Sequence, residues 1–114
     1  MALLSDETLT TVQRLQRELL ERLNAATATE YELLEVYGET DETGDYFDLL
    51  QNAKERVDTY YTRFYVTLRR VYKDQPVADR DTLEILARSI DEAEATSAST
   101  DATVREIRMD FNLP

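Results

Sequence analysis

The sequence contains no cysteine and no histidine. Without cysteine it forms no disulfide, carries no thiolate nucleophile and builds no zinc–sulfur site. Without histidine it lacks the usual general base near neutral pH and the commonest metal ligand. Tryptophan is absent, and there are only two glycines and two prolines. No uninterrupted apolar run approaches the about 20 residues of a membrane span. The opening Met1-Ala-Leu-Leu-Ser-Asp-Glu7 has no basic region followed by an apolar stretch. That points away from a secretory signal and towards the cytoplasm.

What is present is acid. The 114 residues hold 24 acids against 13 bases, a formal net charge of −11. The length allows one small domain with a thin core. Eleven of the 13 bases are arginine, and Lys54 and Lys73 are the only lysines. An acid-rich, lysine-poor chain of this kind resembles proteins of salt-in halophiles. At molar salt the Debye length is about 3 Å, so the self-repulsion of such a chain is largely screened. On that expectation the acidity answers the solvent and says little about a partner.

The hydrophobic pattern predicts an all-α chain of three main helices, over about 5–37, 46–73 and 81–96, in a small bundle. Ser5, followed by Asp6 and Glu7, starts the first, and Leu9, Val12, Leu15, Leu19 and Leu23 recur at helical spacing. The small residues of 24–29 leave its continuity open, and Gly38 is placed to stop it. The stretch 39–45 reads as a polar loop with Asp45 as the next cap. Leu50, Ala53, Val57, Tyr60, Phe64, Leu68 and Val71 then form a seam of three- and four-residue steps. Pro76 ends that helix, and Asp79 or Asp81 caps the third. The small residues 97–100 read as a hinge, dividing a bundle of residues 1–97 from a docking tail of residues 98–114. Ile107, Met109, Phe111 and Leu113 alternate with polar residues, so the tail is expected to be partly extended.

Three features are candidates for function. Tyr61, Tyr65 and Tyr72 form a second stripe on the middle helix, to be covered either by the other helices or by another subunit. Arg63, Arg69, Arg70 and Lys73 lie in a stretch with no acid, from Thr59 to Lys73. They suit a salt-bridged face or an acidic protein partner; nucleic acid is disfavoured by the four-charge footprint. The apolar tail residues Ile107, Met109, Phe111 and Leu113 need cover, from the chain's own bundle or from a neighbour. The acids Glu39, Asp41, Glu42 and Asp45 do not follow calcium-loop spacing, and no metal site is expected. No grouping of side chains suggests catalysis, and no cofactor is implied.

The stretch Asp48-Leu-Leu-Gln-Asn-Ala-Lys-Glu-Arg-Val-Asp-Thr-Tyr60 resembles the central helix of small adaptor proteins from the head–tail connectors of tailed viruses. The shared elements are an acid, a leucine pair, an alanine, then a valine and a tyrosine at helical spacing. The resemblance implies a mostly helical, ring-forming virion subunit, assembled in the host cytoplasm, whose tail (here Val104 to Leu113) docks on a portal. With the halophile-like composition it implies an archaeal tailed virus. The alternative expectation is a small cytoplasmic regulatory or adaptor module that dimerises and binds one protein partner. Both are assembly functions without an active site.

Overall fold

The computed structural model describes residues 4–114. It consists of three helices, α1 (Asp6–Tyr37), α2 (Asp41–Lys73) and α3 (Arg80–Asp110), with no strand among the described residues. All three pack on one another in a rod of 57 × 21 × 17 Å. Cross-helix pairs give the directions. Arg14 meets Glu94, Arg22 meets Asp101 and Arg108 meets Glu32, so α3 runs parallel to α1. Lys54 meets Glu30, and Tyr60 meets Glu92, so α2 runs antiparallel to both.

The helix ends follow from local chemistry. The Ser5 hydroxyl accepts from the Thr8 amide at 3.1 Å and caps α1. Gly38 closes that helix at φ 70°, a left-handed conformation that favours glycine, and its amide donates to the Leu34 carbonyl. The next helix starts earlier than the polar composition of 39–45 suggests. Thr40 caps α2 with Thr43, each hydroxyl accepting from the other's backbone amide, at 3.1 and 2.9 Å. The expected loop with Asp45 as its cap is therefore helix from Asp41 onward, and the α1–α2 connection shrinks to 38–40. Asp79 caps α3.

The third helix differs most from expectation. Residues 97–100 are not a hinge; they lie inside one continuous helix that reaches Asp110. Thr82, Leu86, Ser89, Ala93, Thr96, Ser97, Thr100, Val104 and Ile107 are all buried, a single stripe at helical spacing in which hydroxyl residues take core positions. The segment expected to be partly extended is thus helical as far as Asp110, and only 111–114 leave the helix. Likewise α1 passes without a break through 24–29, where Ala26 and Thr29 are buried.

The apolar core falls into two clusters. One joins Val12, Leu15, Leu19, Val57, Phe64, Leu86 and Ala93. The other joins Ala26, Leu33, Leu50, Val104, Ile107 and Phe111. Between them lies a polar belt. The Ser97 hydroxyl donates to Glu18 at 2.6 Å and accepts from Arg22 at 3.1 Å, and Arg22 also reaches Asp101 at 3.4 Å. The small side chain of Ser97 lets α3 approach α1 closely enough for these bonds, which fix the register of the two parallel helices.

Candidate protein interface

The structure separates the residues that the sequence places together. Tyr61 is half-buried against the first core cluster, whereas Tyr65 and Tyr72 are 56% and 43% exposed. Beside them Val66 is also exposed. The tyrosine stripe is therefore covered at its start and open along its last two turns.

The cations divide in the same way. Arg63 turns towards α3, where it pairs with Glu92 at 3.4 Å and lies 5.0 Å from the centre of the Tyr60 ring. Glu92 also accepts from the Tyr60 hydroxyl at 2.7 Å. That hydrogen bond, followed by burial and the Glu92 charge, holds the Tyr60 phenol above its ordinary value, with Arg63 acting in the opposite direction. Arg63 is thus part of the α2–α3 contact. Arg69 instead sits 5.5 Å from the centre of the exposed Tyr65 ring. Arg69, Arg70 and Lys73 are exposed, and none is in an ion pair among the described residues. The end of α2 thus presents two open aromatic rings and three free cations.

The tail is not a free arm. Ile107 and Phe111 are buried in the second core cluster, and Leu113 packs against it. Phe111 lies edge-on to two rings, Tyr37 at 5.2 Å and Tyr46 at 4.8 Å between centroids. The Tyr37 hydroxyl donates to the Phe111 carbonyl at 2.9 Å. Arg108 donates to Thr29, pairs with Glu32 and also bonds the Pro114 carbonyl. These contacts correct the placement of Ile107, Phe111 and Leu113 on a docking surface: Ile107 lies on the inner face of α3, and the turn that closes the helix, with the Leu113 amide donating to the Arg108 carbonyl, lays Phe111 and Leu113 on the core. Met109, on the opposite face, remains 80% exposed.

At the same end of the rod as the tail, and opposite the Tyr65–Tyr72 surface, is a groove that the sequence did not single out. Leu34, Phe47 and Gln51, with Glu30, Glu39 and Asp48, line a hollow of 290 Å³ where α1 ends and α2 begins. The available signal was Phe47, seven residues before Lys54 and fourteen before Tyr61 on one line of α2. Among the described residues no three acidic side chains are grouped to hold a metal ion, and no helix is long and apolar enough to cross a membrane. Comparison with known protein families, curated proteins and solved structures finds no match for this chain.

Proposed function

We propose that this chain is a structural assembly protein, not an enzyme, and that it binds neighbouring protein subunits through the outer face of the second half of α2. The observation that carries this reading is the exposed pair Tyr65 and Tyr72, with Arg69 stacked on the first ring and Arg70 and Lys73 free beside them. Tyrosine and arginine are enriched at protein contacts, because each offers a large apolar body with a polar end. In a chain of net charge −11, free cations beside open aromatics suit an acidic protein surface.

The connector-like stretch Asp48–Tyr60 makes a ring subunit of an archaeal tailed virus the specific form of this proposal. In that form the docking role moves from the tail to the end of α2, and the arginine-rich acidity suits a salt-rich host. The alternative form is a cytoplasmic module that dimerises through the same face.

Light scattering over a dilution series tests the reading. Wild type should exceed the mass of one chain, and Tyr65→Ala with Tyr72→Ala should return it to a single chain with helicity retained. A wild type that stays at the mass of one chain at every concentration, or a double variant that associates as wild type does, would overturn the proposal.

A further inference from the structure

Phe47, Lys54 and Tyr61 are spaced seven apart on α2, and Tyr65 and Tyr72 continue the line at steps of four and seven. Seven residues make about two turns, so these positions share one side of the helix. Lys54 bonds Glu30 of α1 at 3.1 Å, which identifies that side as the edge where α2 meets α1. The groove around Leu34 and Phe47 occupies one end of this edge, and Tyr65, Arg69 and Tyr72 occupy the other.

Charge divides along the same edge. From Glu30 to Asp48 the chain has eight acids and no base; from Thr59 to Lys73 it has four bases and no acid, and of these bases Arg63 turns to α3 while Arg69, Arg70 and Lys73 stay free. Glu30 and Glu32 are paired with Lys54 and Arg108. The other six acids, Glu39 and Asp48 among them, are exposed and in no ion pair among the described residues. The acidic groove is therefore as unpartnered as the cationic end.

We infer that the two ends are partners in a two-fold dimer. The Tyr65–Arg69–Tyr72 end of one chain seats on the Leu34–Phe47 groove of a second copy, with Arg69 at Glu39 and Asp48, and the same contact repeats in reverse. This rests on the dimeric form of the proposed assembly function, not on the ring form, and names the occupant of its surface. Three considerations select a second copy. The two patches lie on one edge, about 33 Å apart along α2, so a single antiparallel copy engages both at once. An arginine stem packs on apolar surface while its planar head pairs with carboxylates, which fits a groove floored by Phe47 and rimmed by acids. The free cations Arg69, Arg70 and Lys73 at one end and the exposed Glu39 and Asp48, unpaired among the described residues, at the other are opposite in sign, so one chain carries both halves of a complementary contact.

Charge reversal at each end tests the inference. Sedimentation is run at about 0.1 M salt, where the Debye length is about 10 Å, with helicity checked by circular dichroism. Wild type should sediment as a dimer. Arg69→Glu with Arg70→Glu, and separately Glu39→Lys with Asp48→Lys, should each weaken association at least tenfold, and an equal mixture of the two should regain the dimer. Tyr65→Ala with Tyr72→Ala replaces any charge-reversed chain that loses helicity. A wild type larger than a dimer overturns the two-fold pairing. A lysine variant that dimerises as tightly as wild type, beside a monomeric glutamate variant, removes the groove as occupant while the α2 surface stands. A monomeric wild type, or association untouched by any variant, overturns both the inference and the proposed function.

Discussion

The guanidinium of Arg69 lies 5.5 Å from the centre of the Tyr65 ring, on a part of α2 that neither α1 nor α3 covers. An aromatic ring that is 56% exposed contributes little to its own fold and much to whatever it meets. Tyr65→Ala should therefore shift thermal unfolding by about 0.5 kcal/mol or less, in keeping with an exposed site, while weakening self-association about tenfold. Tyr65→Phe keeps the ring and should associate nearly as wild type. Thermal unfolding at dilutions where the chains are monomeric, with sedimentation at higher concentration, separates the two effects, because association itself raises apparent stability.

Phe111 should behave in the opposite way. Its ring sits between Tyr37 and Tyr46 and is 8% exposed, so Phe111→Ala should cost about 3–5 kcal/mol in denaturant unfolding. Phe111→Asp should cost more, because it also buries a carboxylate. A tail that docked on a neighbour would lose binding and keep its helicity; here helicity and stability should fall together.

Ser97 tests why α3 is unbroken. Its hydroxyl links Glu18 and Arg22 in the belt between the two core clusters. Ser97→Ala should cost about 1 kcal/mol through the lost hydrogen bonds, and Ser97→Leu about 1–3 kcal/mol more through overpacking against α1. A mobile hinge at this position would tolerate both, so equal unfolding midpoints for the three chains would contradict the packed belt.

The same residues show what was legible before the structure. Ser5 marks a helix start through its hydroxyl, and Gly38 and Pro76 mark helix ends through their backbones, so these could be read directly; Asp79 was one of two capping candidates with Asp81. The α2 seam was readable too, because Leu50, Ala53, Val57, Phe64 and Val71 are apolar and all buried. The stripe of α3 was not, because Thr96, Ser97 and Thr100 fill core positions with residues that composition assigns to hinges. The start of α2 was missed for a similar reason: its reciprocal cap uses Thr43 where the usual pattern has Glu or Gln. The groove is assembled from Leu34 and Phe47 on two helices, so it exists only once Gly38 has turned the chain back.

Tyr60 makes the fold mildly sensitive to alkali. Its phenol is held above the ordinary value of about 10, chiefly by the hydrogen bond to Glu92. A raised folded value means that this bond stabilises the protein fully below about pH 10 and is lost as pH rises through the folded value. Tyr60→Phe should remove one high-titrating phenol from an ultraviolet titration. It should also narrow the stability difference from wild type as the pH passes that range.

The most direct test of the assembly surface uses the absence of cysteine, since any engineered thiol is the only one in its chain. Asp48→Cys and Arg69→Cys chains are mixed and oxidised, with Met109→Cys as the control. A disulfide-linked dimer is expected in the mixture and little from either chain alone, because like positions stand about 30 Å apart across the two-fold pairing. Cross-linking no stronger than that of Met109→Cys, or equally strong within each single variant, would contradict it.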